Sequence, residues 1–196
     1  MATREAFLAK VRQAQPAARP RPDVPLFPAM GGDLRERFAA ALQMMGGTCV
    51  QAQAASDVAA LIRERFGAAA SIASATAQVP GTRMLTADTE PASLQDIDVG
   101  VVRARFGVAE TGSVWFSERE YVVNALGYIV QHLVVLLDPA QLVDGLQDVY
   151  RRDDFRDARY AALVTGPSAT ADIEGVLIRG AQGVRSLTVV WLAAKP

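Results

Sequence analysis

The chain has 196 residues, of which 51% are hydrophobic and 21% charged, with a formal net charge of -1 from 20 basic and 21 acidic residues. That length and composition suit one globular domain with its own core and exclude wholesale disorder, and nothing in the near-neutral charge points to nucleic acid or an anionic membrane. A single cysteine, Cys49, and a single histidine, His132, exclude an intramolecular disulfide, a self-contained iron–sulfur cluster and a Cys- or His-rich zinc site in this chain.

Met1–Gln15 lacks an apolar core of the kind a secretory signal carries, so a cytoplasmic protein is expected. Thr3–Gln13 predicts a short amphipathic helix. Gln15–Pro28, with Pro16, Pro20, Pro22, Pro25 and Pro28, predicts an extended arm pinned through Val24, Leu26 and Phe27 to its own domain or to a neighbouring subunit. The expected division is therefore an arm over residues 1–31 and an α/β domain over 32–196. Asp33 is placed to cap a helix running to about Met45, with Leu34, Phe38, Ala41, Leu42 and Met45 inward, and Gly46-Gly47 stops it. Thr48–Ala52 predicts a strand. Ser56 is expected to cap a helix over Asp57–Phe66. Ala70–Ser74 and Thr82–Thr86 predict short strands, and Pro91–Asp96 a helical turn.

Asp98–Phe106 predicts one strand, followed by a turn at Thr111-Gly112 and an apolar return from Val114 to Phe116. The pattern over Ser117–Gly127 is ambiguous. Gln131–Leu137 predicts a buried strand, and the most apolar window, Tyr121–Leu137, contains Asn124, Gln131 and His132 and is too short and too polar for a membrane span. Pro139 opens a predicted helix to about Arg151 with Leu142, Val143, Leu146 and Val149 inward. Arg152–Arg159 reads as a charged surface turn, Tyr160–Thr165 as a strand, Thr170–Arg179 as a helix and Ser186–Leu192 as a last strand. Helices alternating with strands through short connections imply an α/β fold with a largely parallel sheet.

Two stretches carry local chemical detail. In Phe106–Ser117, Glu110 stands at the rim of buried strand. Its carboxylate is placed either as a nucleophile or general base, or as a turn-edge acceptor of the Gly112 and Ser113 N–H groups. In Gly166–Glu174, Gly166, Pro167 and Ser168 lie between a predicted strand and a predicted helix, where backbone N–H groups gather around an anion. Ser168 or Thr170 is the expected N-cap there, with Asp172 and Glu174 in the first turn. Either this is a ligand site or it is a well-capped helix start. His132, inside an apolar run, is either an acid/base or a hydrogen-bonded core histidine. Arg103 and Arg105 alternate along one strand and face the same way, which serves a carboxylate or phosphate, but a solvated face is the expected reading. Trp115, Tyr121 and Tyr128 are expected in core or interface. Lysine occurs only at Lys10 and Lys195, and there is no Gly-x-Gly-x-x-Gly or Walker signature. A Schiff-base lysine and a dinucleotide or nucleoside triphosphate site are therefore unsupported.

Taken together, Val108-Ala109-Glu110-Thr111-Gly112-Ser113, His132 in its apolar strand, Thr165–Leu177 and Gly180-Ala181-Gln182-Gly183 resemble, in order, the signature of the LUD-domain family typified by lactate-utilisation protein C. The resemblance covers roughly residues 32–193. It implies an open three-layer α/β/α sandwich like that of the sugar-phosphate isomerase and CoA-transferase superfamily. It also implies a part in oxidising L-lactate to pyruvate beside iron–sulfur partner proteins, this chain being the cluster-free member with no cofactor of its own. Under that resemblance, Glu110 and His132 are the candidate catalytic residues. Thr111, Gly112, Gly166, Pro167, Ser168, Thr170, Asp172 and Glu174 are the candidate contacts for a small organic acid. The alternatives are a stand-alone CoA-transferase- or isomerase-like enzyme using Glu110, and a non-catalytic binding or assembly module, with a homo-oligomer possible in either case. The chain departs from many relatives at Ala169, where a basic residue is common, and in having no proline between the Glu-Thr-Gly turn and His132.

Overall fold

The centre of the molecule is a sheet of six parallel strands in the order β1-β12-β7-β4-β2-β3. They span Thr48–Gln51 (β1), Ile72–Ser74 (β2), Arg83–Met84 (β3), Val99–Arg103 (β4), His132–Leu137 (β7) and Ser186–Trp191 (β12). The computed structural model describes residues 3–20, 22–23, 25–172 and 174–194. The inner strands β4, β7 and β12 are near-continuous Val/Leu runs because both faces of a parallel sheet are covered.

One face is covered by helix α3 (Ala55–Phe66), whose Val58 and Ile62 are fully buried against Val99, Val101, Val134, Leu136 and Val190. The alternate residues of the same strands, Val102, Leu133, Val135, Leu137 and Val189, face the other way. They pack with Phe38 and Leu42 of helix α2 (Leu34–Met44) and with a second sheet. The result is a mixed α/β fold with a central parallel sheet between helical layers, the class expected. The helical layer on the α2 side is shared with four strands that alternation alone did not separate: β5 (Phe106–Val108), β6 (Ser113–Ser117), β8 (Leu142–Val143) and β9 (Ala161–Val164), in the order β8-β5-β6-β9.

The caps behave as their chemistry dictates. Asp33 Oδ1 accepts the Arg35 and Glu36 N–H groups at 2.8 and 3.0 Å. Gly67 ends α3 with φ +90°. Helix α3 begins at Ala55, not after a Ser56 cap; Asp57 reaches back to accept the N–H groups of Gln53 and Ala54 instead. Met45 is half-exposed, outside the inward stripe. Helix α1 (Arg4–Gln13) buries no side chain, and the following arm leaves Leu26, Phe27 and Met30 exposed; Val24 lies outside the described residues.

Three predicted elements are overturned. The strand over Asp98–Phe106 breaks at Ala104-Arg105, where the chain leaves one sheet and enters the other. The helix from Pro139 is instead a 3-10 turn (Pro139–Gln141), then β8 paired with β5, then a short helix α6 (Leu146–Tyr150). Thr170–Arg179 is not helical either. Its ends form a hairpin of β10 (Ala169–Thr170) and β11 (Ile178–Arg179), with Glu174 and Gly175 at φ +54° and +70° in the turn. Among the described residues of that segment, Val176 and Leu177 are both exposed. The ambiguous stretch after β6 forms two single-turn helices, α4 (Glu118–Tyr121) and α5 (Leu126–Ile129).

Candidate functional site

The first motif is the turn of the β5–β6 hairpin. Gly112 sits at φ +66° and donates its N–H to Val108 O at 2.9 Å. Beside it, Ala109 N and Glu110 N donate to Val143 O and Asp144 O, each at 2.9 Å. The Glu110 carboxylate accepts neither the Gly112 nor the Ser113 N–H. Its Oε2 accepts the Leu146 N–H at 2.8 Å, tying the hairpin to the first residue of α6.

The second motif follows β9. Gly166 is again left-handed (φ +68°), and Ser168 is fixed through its backbone: its N–H donates to Val184 O at 2.8 Å and its carbonyl accepts the Gly180 N–H at 2.7 Å. The helix start expected at Gly166-Pro167-Ser168 is therefore an arch tied to the Gly180–Val184 loop, and the helix end that meets it is the C-terminus of α2 at Met45. Thr170 Oγ1 accepts the Asp172 N–H at 3.3 Å, while Asp172 and Glu174 stand exposed in the hairpin turn. Ile173 lies outside the described residues.

The two motifs touch. A chain of hydroxyls runs from Thr111 Oγ1 to Ser113 Oγ at 2.7 Å and on to Thr165 Oγ1 at 2.5 Å. Both motif glycines also receive the end of α2. A Cβ on Gly112 would stand 2.7 Å from Leu42 Cα, and one on Gly166 would stand 2.5 Å from Met45 O. These glycines let a helix backbone approach two turns closely. Gly166, Pro167 and Ser168 also line a cavity of about 570 Å³ together with Tyr128, Gln182 and Val184.

Glu110 and His132 stand elsewhere. Glu110 borders a separate, smaller cavity of about 210 Å³ with Arg37, Asp144 and the arm residues Phe27, Pro28 and Met30. His132 begins β7 at the N-terminal edge of the parallel sheet. Its ring stacks on Phe66 with centroids 4.5 Å apart, and its Nδ1 is 2.8 Å from Ser186 Oγ. Burial, and then the nearby charge of Arg185, hold the imidazole below its usual value of 6.5, with Asp98 opposing them. This is a packed, hydrogen-bonded histidine.

Its depressed pKa has a consequence for stability. In the unfolded chain the imidazole takes a proton near 6.5, before the folded form does. Stability is therefore full above that value and is lost as pH falls toward the folded pKa. Above about pH 5, where carboxylates stay mostly ionised, urea midpoints are expected to fall with pH in the native chain and to lie flat in His132→Gln. Parallel curves for the two proteins would refute burial as the cause. Elsewhere, burial pushes the Cys49 thiol up to about 11 despite Arg35, which leaves little thiolate at neutral pH.

One polar cavity was missed as a site. Arg103 ends β4, Arg105 lies just past the break, and both line a space at the C-terminal edge of the parallel sheet. Their alternation is visible in the sequence, where a solvated face is the expected reading.

The LUD domain family matches residues 86–192, a span that contains both motifs, His132 and the closing strand. Among solved structures, the fold is similar to that of a DUF162 family protein from Deinococcus radiodurans. That likeness has a TM-score of 0.63 at 18% identity, covering 82% of this chain and 96% of that one. No curated protein matches the chain. The match over more than half of the residues, on two motifs that the fold brings into contact, makes this chain a member of the LUD-domain family, a family associated with lactate utilisation.

Proposed function

We propose that this chain is the cluster-free subunit, of the lactate-utilisation protein C type, in a cytoplasmic system that oxidises L-lactate to pyruvate beside iron–sulfur partner proteins. The observation that carries this reading is the family match across residues 86–192, within which the Glu-Thr-Gly turn and the Thr-Gly-Pro-Ser arch are joined by the Thr111–Ser113–Thr165 hydroxyls. The chain's own residues do not fit a cluster. Cys49 is its single cysteine, and one thiolate does not hold an iron–sulfur cluster. Electron transfer through clusters is accordingly assigned to the partners. Among the described residues no helix is long and apolar enough to cross a membrane.

In this reading residues 32–196 form the LUD-type domain, and residues 1–31 form an arm whose exposed Phe7, Leu26, Phe27 and Met30 favour a contact with a partner. Glu110 serves as a fastener, as its bond to Leu146 N supports, in preference to a covalent nucleophile of the CoA-transferase kind. Deleting this gene while leaving the iron–sulfur partner proteins intact is expected to abolish growth on L-lactate, with growth on pyruvate kept. Undiminished growth on lactate would sink the proposal.

A further inference from the structure

Open parallel sheets take ligands beyond the C-terminal ends of their strands. Here that edge holds a cavity of about 380 Å³ lined by Thr76, Arg103, Arg105, Arg119, Glu120 and Asp138, among others. It opens where the chain breaks at Ala104 and passes from the central sheet into the second one.

The two acids of the cavity are already committed. Glu120 Oε1 receives Arg105 Nε and Nη2 at 2.9 and 2.6 Å, and its Oε2 receives the Ser117 N–H and hydroxyl. The Asp138 oxygens accept the N–H groups of Ala140 and Ala194, both at 2.9 Å. Arg105 is committed as well, to Glu120 and Asp154.

Arg103 differs. Its Nε donates to Gln78 Oε1 at 2.5 Å and its Nη1 to the Leu192 carbonyl at 3.1 Å, so the guanidinium is held from two sides. Its Nη2 is buried with no hydrogen-bond partner, and no carboxylate pairs with it among the described residues. Burial pulls this guanidinium down and Asp138 opposes the shift, but an arginine stays charged at neutral pH. A half-buried, pre-oriented cation that lines a cavity, with one nitrogen unpartnered and no carboxylate paired to it among the described residues, is costly without an anion and well formed with one.

We infer that this cavity binds a small oxyanion, the carboxylate of an organic acid or the phosphate of a small phosphoester, with Arg103 as its anchor and Arg119 as a second cation on the solvent side. Its volume is at the low end for ligand pockets, which suits a molecule of a few carbons and excludes a dinucleotide. The inference does not depend on the lactate reading, because it rests on the arginine and not on the family motifs.

The test is calorimetric titration and thermal shift of the full chain with inorganic phosphate, pyruvate and L-lactate at constant ionic strength, with chloride as the control. At least one oxyanion is expected to bind saturably and raise Tm. Arg103→Gln is expected to weaken that binding about 10- to 100-fold while keeping the circular dichroism spectrum. If Arg103→Gln does not fold, Arg103→Lys takes its place; one ammonium cannot hold Gln78, Leu192 and the anion in the fork geometry, so binding again falls. Binding by carboxylates alone assigns an organic acid, and binding by phosphate alone assigns a phosphoester. No saturable binding by any of the three, or undiminished binding in whichever variant folds, overturns the inference. Either result leaves the lactate-growth experiment to stand or fall by itself.

Discussion

Replacing Gly112 with alanine is expected to cost on the order of 3–5 kcal/mol of stability, a large share of what a domain of this size has. Two effects add. A non-glycine residue at φ +66° meets the left-handed penalty of about 1–2 kcal/mol. The new methyl would also stand 2.7 Å from Leu42 Cα, so α2 has to retreat. Leu42 and Phe38 of that helix are fully buried against the central sheet, and a retreat opens the core they fill. Urea unfolding should show a lower midpoint at an unchanged slope. Gly166→Ala is the built-in comparison. Its Cβ would meet the backbone oxygen of Met45 at 2.5 Å, but Met45 is the C-cap just past α2 and not part of its buried body, so a loss of about 2–3 kcal/mol is expected. A cost below about 1 kcal/mol at Gly112 would mean that α2 is not seated on the turn.

That result would also mark what the family signature encodes here. The family resemblance makes both motif glycines candidate ligand contacts. In the structure both receive the end of α2, and Gly166 lines a cavity as well. What sequence patterns do carry is burial: the Val/Leu runs of β4, β7 and β12, and the Asp33 and Gly67 ends of their helices, were legible because each is set by local chemistry. The errors lie where tertiary pairing decides. Leu142, Val143, Leu146 and Val149 have helical spacing, yet Leu142 and Val143 pair with Gly107 and Val108, and Gly145, extended at φ -137°, separates them from α6. The break at Ala104-Arg105 left no mark on the apolar pattern, because residues on both sides of it are buried in different sheets. That hidden break is what turns Arg103 and Arg105 from an expected solvated face into the wall of a cavity.

The two arginines, so alike in sequence, are expected to behave oppositely on mutation. Arg105→Met should destabilise the fold by about 2–4 kcal/mol, whereas Arg103→Gln should leave stability little changed. Arg105 binds Glu120 through two nitrogens and Asp154 through the third at 3.1 Å, and lies 5.0 Å over the ring of Trp115. It thereby fastens α4 and the Asp153–Phe155 turn to the second sheet. Methionine keeps the length of the stem but leaves Glu120 with no cation, while Asp154 keeps Arg152 at 2.6 Å. The figure sits below that of a fully buried pair because the Arg105 side chain is 29% exposed. Its pH dependence has a definite sign. Burial pushes Asp154 up, but Arg105 and Arg152 outweigh it and hold the carboxyl below its usual 3.8. Its contribution is present above that value and is lost as pH falls through the lower folded one. The gap between the native chain and Arg105→Met should therefore be full at neutral pH and narrow on acidification below about pH 4, as Asp154 takes up a proton. A gap that persists unchanged into acid would show that the loss comes from packing on Trp115 and not from charge.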